Sequence, residues 1–179
     1  GAWAADAIAV LDECTDGPQI LIGSSMGGWI MLLAALARPD RVAGLIGIAA
    51  APDFTEDLMW DRFDQDRRDT LMRDGVYYEP SEYGDEPYTI TRELITEGRS
   101  HLLLRRPIAL HCPVRLLHGM RDESVPWMTT SRIAEKILSE DVRIFLVKDG
   151  DHRLSRDQDI ARLKVTLDDL LIRRGPEFP

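Results

Sequence analysis

The sequence predicts an α/β fold in which strands and helices alternate around a parallel sheet. Three observations carry that expectation. A short apolar run, Gln19 to Ile22, passes through Gly23-Ser24-Ser25-Met26-Gly27 directly into a longer apolar run, Trp29 to Ala37, which is the pattern of a strand emptying through a tight turn into a helix. Val42 to Ala51 is apolar throughout and is bounded by Pro52, as suits a parallel strand covered on both faces. Beyond residue 113 strand-like and helix-like runs alternate again, the signature of a parallel sheet with crossover helices.

Taken in order, Ala4 to Cys14 places Ala7, Ile8, Val10 and Leu11 at helical spacing and is stopped by Gly17-Pro18. The strand Gln19 to Ile22 follows at once, and the helix from Gly27 to Ala37 ends at Arg38-Pro39-Asp40. Val42 to Ala51 is the next strand. Composition then shifts: residues 53–106 are rich in charge, Tyr and Trp, with Met59, Trp60 and Phe63 on one amphipathic stretch and Ile90, Leu94 and Ile95 on another. This segment reads as a helical cap inserted within a single domain spanning 1–179. The sheet resumes with Val114 to His118, a helix from Trp127 to Leu138, a strand from Val142 to Val147 and a last amphipathic helix from Gln158 to Ile172. There is no internal repeat and no low-complexity segment.

Composition narrows the function classes. At 179 residues and 44% hydrophobic, the chain has apolar content for one sizeable core. Its net charge of −9, with no basic stripe, argues against nucleic acid, whose phosphates would be repelled. No run of about eighteen apolar residues occurs, and no basic-then-apolar signal segment opens the sequence, so no membrane span or export signal is expected. Cys14 and Cys112 form neither a disulfide framework nor a metal pattern, and they fit a reducing compartment. Neither a metal nor a cofactor is expected.

The turn at Ser25 is where the chemistry begins. A serine at the tip of a strand-to-helix turn is forced into a strained backbone conformation that lifts its hydroxyl clear of the sheet. Glycine is expected two residues to either side, because strand and helix approach too closely there for a Cβ. Ser25 has Gly23 and Gly27 in those places, whereas Ser24 has Met26 two positions on, so Ser25 is the candidate nucleophile. Leu116-Leu117-His118-Gly119-Met120-Arg121-Asp122 reads as a strand emptying into a loop that carries a carboxylate, and Phe145 to Val147 leads into Lys148-Asp149-Gly150-Asp151-His152. His152 is the candidate base, since imidazole titrates near neutrality. Asp122 would orient it, with Glu123 as the rival acid. Asp149 and Asp151 stand too near His152 in sequence and read as turn formers. His118 reads as structural, and His101 and His111 as ordinary surface or packing residues. Trp60, Tyr77, Tyr78, Tyr83 and Tyr88 read mainly as core of the inserted segment, with an acyl or aglycone pocket as the alternative. Trp29 reads as packing.

With these motifs placed, the segments GSSMGGWIMLLAALARPDRV, CPVRLLHGMRDESVPW and DGDHRLSRDQDI resemble the α/β-hydrolase family. Within it they closely resemble a branch of mitochondrial palmitoyl-protein thioesterases and their bacterial relatives. The order Ser, Asp, His is the family's own and differs from those of the chymotrypsin and subtilisin folds. The resemblance implies a serine hydrolase acting through an acyl-enzyme, with Ser25, Asp122 and His152 as nucleophile, orienting acid and base. It implies esters or thioesters as substrates, S-acylated proteins and acyl glucuronides among them, and a mitochondrial location in animals or a cytoplasmic one in bacteria. It also implies that about four strands and a His-Gly oxyanion loop precede the first helix, so that this sequence corresponds to the C-terminal part of the family fold. One oxyanion donor, the Met26 N–H, is then present without its partner, and Gln19 to Ile22 is left as an open apolar edge that predicts poor solubility and weak turnover for these 179 residues alone. Two other readings stay open: a catalytically silent binding domain of the same fold, and a peptidase or lipase.

Overall fold

The computed structural model describes residues 1–79 and 87–172. The chain divides into a larger compact unit, Ala2–Pro52 with the chain from Leu103 onward, and a smaller one, Asp53–Leu102 together with Gly1.

The larger unit contains helix α1 (Ala2–Glu13), strand β1 (Gln19–Ser24), helix α2 (Met26–Ala37) and strand β2 (Val42–Ile48). After the smaller unit it resumes with β5 (Val114–Gly119), α5 (Met128–Lys136), β6 (Val142–Val147) and α6 (Asp157–Ile172). The four strands form one sheet in the order β1-β2-β5-β6, and each neighbouring pair runs parallel. The central strands are the buried ones. Residues Val42 to Gly47 and the whole of β5 are buried, whereas the edges leave Ile22 of β1 and Ile144 and Leu146 of β6 partly in solvent. Two faces divide the β2 side chains between them. Ile46 joins Leu117, Leu154 and Leu170 of α6 in one cluster, while Leu116 and Met31 of α2 lie beside Gly47 on the other. A strand covered on both faces cannot alternate polar and apolar residues, which is why β2 reads as one apolar run.

That run is longer than the strand. β2 ends at Ile48, and Ala49, with a φ of 45°, turns the chain. Ala49 N–H donates to Leu117 O (2.8 Å) and Ala51 N–H to Ser25 O (3.0 Å). The three alanines are apolar because they are buried, at 0–2% exposure, and not because they are extended.

The end of α1 is closed by an arginine from the far side of α2. Arg41 Nη2 donates to the carbonyls of Leu11 (2.9 Å) and Thr15 (2.7 Å), and its Nε to Gly17 O (3.0 Å), so carbonyls beyond the helix end find a cationic donor. Arg38 clasps Asp12 at 2.8–3.0 Å.

The smaller unit corrects the purely helical expectation for the inserted segment. It holds a π turn (Thr55–Met59), a 3₁₀ turn (Trp60–Arg62), α3 (Gln65–Asp74), a two-stranded antiparallel ribbon of β3 (Val76–Glu79) and β4 (Tyr88–Thr91), and α4 (Arg92–Gly98). Val-Tyr-Tyr-Glu and Tyr-Thr-Ile-Thr are short runs of aromatic and β-branched residues, which favour strands. Asp64 Oδ1 accepts from Arg67 N–H at the start of α3 (2.8 Å), and Thr91 Oγ1 from Leu94 N–H at the start of α4 (3.0 Å). Phe63, Leu71, Ile90 and Ile95 form its core with Met59, Trp60 and Tyr77. Of the five aromatics singled out in the sequence, Tyr77 packs on Phe63 at 5.7 Å and the Trp60 ring meets the guanidinium groups of Arg68 (5.2 Å) and Arg99 (4.6 Å). Tyr78 and Tyr88 are exposed, and Tyr83 lies outside the described residues.

One buried charge organises the base of the larger sheet. Arg115, near the start of β5, is fully buried. Its guanidinium donates to Asp141 Oδ1 (3.0 Å) and Oδ2 (3.1 Å), to Asp169 Oδ2 (3.0 Å), and to the carbonyls of Val114 (3.0 Å) and Asp141 (3.2 Å). It therefore ties β5 to the entry of β6 and to α6. Arg115→Ala is expected to destabilise the protein by about 3 kcal/mol, the lower end of the range for breaking a buried pair, because both carboxylates remain 35% exposed. Arg115→Lys should recover only part, since one ammonium cannot serve two carboxylates and two carbonyls. Urea unfolding of both variants measures this, and a loss below about 1 kcal/mol for Arg115→Ala would show the network to be idle.

Candidate active site

Ser25 joins β1 to α2 with φ 52° and ψ −124°, a left-handed conformation that a non-glycine residue adopts only at a cost on the order of 1–3 kcal/mol. The neighbouring strand holds it there. Ser25 N–H donates to Ile48 O (2.9 Å), and Ser25 O accepts from Gly28 N–H (2.9 Å) and Ala51 N–H (3.0 Å). Met26 is the first residue of the helix, so its N–H has no acceptor within α2 and lies at the positive end of the helix dipole beside the serine.

The loops after β5 and β6 meet this turn. His152 Nε2 is 3.0 Å from Ser25 Oγ, and its Nδ1 is 2.7 Å from Asp122 Oδ2. With a proton on Nδ1 donated to the carboxylate, Nε2 presents a lone pair to the serine hydroxyl, which donates to it. The Asp122 side chain is wholly buried, and His152 is 22% exposed. Burial of a carboxylate is costly unless its lone pairs are used. Here all four are: Oδ1 accepts from the N–H groups of Ser124 (2.9 Å) and Val125 (2.8 Å), and Oδ2 faces His152 and also His118 Nε2 (3.0 Å).

The fold that carries this arrangement has many counterparts among solved structures. The sequence pattern of the Alpha/beta hydrolase family matches residues 1–163. The chain belongs to that family. It is 44% identical over 172 residues to the human mitochondrial palmitoyl-protein thioesterase ABHD10, covering 96% of this chain and 56% of that protein. Against the mouse protein the identity is 45% over 180 residues, covering 100% of this chain and 60% of that one. The chain thus spans little more than half the length of these relatives. Among solved structures, mouse alpha/beta hydrolase domain-containing protein 10 superposes with a TM-score of 0.88 at 43% identity, over 97% of this chain and 69% of that one. A structure from Agrobacterium vitis S4 gives 0.90 at 40% identity, over 94% and 67%.

In this α/β-hydrolase chain the hydrogen-bonded line from Ser25 through His152 to Asp122 does not include the other sequence candidates. Glu123 is exposed, and it is Asp122 that His152 meets. His111 is exposed, and His101 belongs to the smaller unit, 3.9 Å from Glu97. Trp29 is buried. Asp151 shapes the turn that carries His152, its Oδ1 accepting from Arg153 N–H (3.2 Å) and Leu154 N–H (2.9 Å). Arg156 braces the same loop between Asp149 (2.8 Å) and Asp159 (2.7 Å), and these pairings hold both carboxyls below their ordinary pKa. The two functional loops are also joined directly, by Arg121 N–H donating to Gly150 O (2.9 Å).

Two features escape a reading by sequence. The first is the glycine requirement. A Cβ on Gly23 would collide with the backbone of Gly27 and Gly28, as expected, but a Cβ on Gly27 would meet nothing within 4 Å. The close approach falls on Gly28, whose Cβ would strike Ala50. Gly27→Ala is therefore expected to be neutral or to stabilise by up to about 1 kcal/mol through helix propensity, while Gly23→Ala and Gly28→Ala should lower the melting temperature sharply. The reverse ranking in thermal melts would contradict this geometry.

The second is His118. It is fully buried and contacts Asp122, Val125 O (3.1 Å) and Thr130 Oγ1 (2.6 Å). The available signal was its place four residues before Asp122, where a strand end and the following loop fold back together. Burial pushes its imidazole below the ordinary value near 6.5, against the opposing pull of the Val125 carbonyl and Asp122; His152 adds a smaller push in the same direction as burial. The unfolded chain thus takes up this proton first on acidification. The neutral buried imidazole contributes stability that is fully present above about pH 6.5 and is lost as pH falls through the lower folded value. The stability advantage of the native protein over His118→Asn should shrink between about pH 7 and pH 5. Denaturant unfolding across that range checks it, and a flat or widening gap would contradict it.

Proposed function

We propose that this chain carries the acyl-transfer site of a serine hydrolase that cleaves carboxylic esters or thioesters. The observation that supports it is the unbroken line of hydrogen bonds from Ser25 Oγ through His152 to the buried Asp122, 3.0 Å and 2.7 Å long. In this reading the Ser25 oxygen attacks the substrate carbonyl carbon as its proton passes to His152 Nε2. Asp122 holds the imidazole tautomer and stabilises the imidazolium. The Met26 N–H is one donor to the oxyanion that forms on the carbonyl oxygen. Collapse of the tetrahedral adduct breaks the bond to the thiolate or alkoxide, which leaves with the proton from Nε2. Water, activated by the same nitrogen, then hydrolyses the acyl-serine.

For the substrate we propose thioesters and activated esters of medium or long acyl chains, S-acylated protein among them, on the strength of the similarity to proteins named palmitoyl-protein thioesterase. The same similarity supports a mitochondrial location in an animal source; for a bacterial source we propose a cytoplasmic one. No helix among the described residues is long and apolar enough to cross a membrane.

In the intact protein, Ser25→Ala should abolish ester and thioester cleavage, with a fall of about 10⁶ in turnover and little change in folding. A fluorophosphonate probe should label the native protein and not Ser25→Ala; absence of labelling in the native protein would instead favour a silent binding domain. Asp122→Asn should cut turnover roughly 10⁴-fold with binding nearly intact, while Glu123→Gln should be mild. Comparison of p-nitrophenyl esters, acyl-CoA and S-palmitoyl peptides at matched concentration tests the substrate class, and a preference for acetyl esters would count against it.

A further inference from the structure

We propose that Thr130 and His118 form a positioning relay behind the acid: the Thr130 hydroxyl sets the tautomer of His118, whose Nε2–H then fastens Asp122 for its work on His152. This rests on the reading of Ser25, His152 and Asp122 given above. His118 Nε2 faces two acceptors and no donor, the Asp122 Oδ2 at 3.0 Å and the Val125 carbonyl at 3.1 Å. A ring nitrogen so placed must carry a proton. The other nitrogen, Nδ1, is 2.6 Å from Thr130 Oγ1, and that hydroxyl has no other hydrogen-bond partner among the described residues. Two threonines on other helices return their proton to a carbonyl four residues back, Thr96 to Arg92 O (2.9 Å) and Thr166 to Arg162 O (2.8 Å). Thr130, buried at 1% exposure on α5, gives its proton to His118 instead. Desolvation favours the neutral imidazole that this pattern requires.

The two histidines on Asp122 are thus opposite tautomers. His152 carries its proton on Nδ1 and keeps a lone pair for the serine. His118 carries its proton on Nε2 and uses its lone pair on Thr130. Both N–H groups point at the same carboxylate oxygen. A carboxylate held by four partners keeps one orientation, and a carboxylate in a fixed orientation is what stabilises an imidazolium at His152. Asp122 and His152 are the titratable groups that act on His118, and Thr130 and the Val125 carbonyl are its neutral partners.

The test combines a spectrum with kinetics. Long-range ¹H–¹⁵N spectra of the native protein resolve the tautomers of its four histidines, and His118→Asn assigns the relevant signal. A neutral Nε2–H imidazole at pH 7 is the expected result; an Nδ1–H tautomer or a cation overturns the proposal. Thr130→Val, which keeps shape and removes the hydroxyl, should disturb that signal and lower kcat roughly 10- to 100-fold, the scale seen when an outer partner of a working histidine is removed, with KM nearly unchanged. Thr130→Ser should restore both. A lost tautomer signal with native kcat would show His118 to be a purely structural staple, which also overturns it. If Thr130→Val does not fold, the native spectrum and the kcat of Thr130→Ser still decide: a wrong tautomer, or a Ser variant as impaired as Asp122→Asn, counts against the relay. Survival of activity in Ser25→Ala would sink the hydrolase reading, while the tautomer of His118, measured without turnover, would stand or fall separately.

Discussion

In a parallel sheet every strand ends at the same edge, and the loops that follow β1, β5 and β6 therefore emerge side by side. Register makes this quantitative. Ser24 pairs with Ile48, Ile48 with Leu117, and Leu117 with Phe145, so Ser25 and His118 stand at the same height, two strands apart. That gap is about 10 Å at ordinary strand spacing. It is too wide for a serine and an aspartate to meet directly, and one imidazole fills it. The distances of 3.0 Å and 2.7 Å at either end of His152 follow from strand spacing as much as from the side chains themselves.

The sheet also concentrates unfavourable terms in a few places and offsets each locally. The strain of the left-handed turn at Ser25 is offset by three backbone hydrogen bonds. The buried carboxylate of Asp122 has four hydrogen-bond partners, and the buried guanidinium of Arg115 has two carboxylates and two carbonyls at the other end of the same strand. β5 thus carries a satisfied cation near its start and leads into a satisfied anion past its end, with Leu116 and Leu117 between them at 1% and 3% exposure. A polar group survives in such a core only when its partners arrive with it.

Much of this was legible in the residues. The strands, helices and their order follow from periodicity, and Ser25, Asp122 and His152 lie where loops leave apolar strands. What was hidden depends on geometry across chain segments. Apolar character cannot separate Ile48, which is extended, from Ala49, which turns, because burial demands it of both. The requirement for glycine passes from Gly27 to Gly28 because it is set by Ala50, on a strand exit that no local pattern locates. The ribbon of β3 and β4 has strands of four residues, too short to show a period against the helices around it. Arg115 looks like an exception in a strand until Asp141 and Asp169 are seen beside it. His118 looks structural until the loop returns Asp122 to its ring.

The restraint on Ser25 has a further meaning. Every hydrogen bond that imposes its backbone conformation is made by main-chain atoms, from Ile48, Ala51, Gly28 and the serine's own N–H and C=O. The hydroxyl takes no part in its own placement and is left to His152 alone. Scaffold and reagent are therefore separable at this position: the turn would present a thiol or a carboxylate from the same point in space as readily as an alcohol. On the function proposed above, a fold organised in this way can exchange its nucleophile, and with it the bond it attacks, without revising the instructions by which it folds.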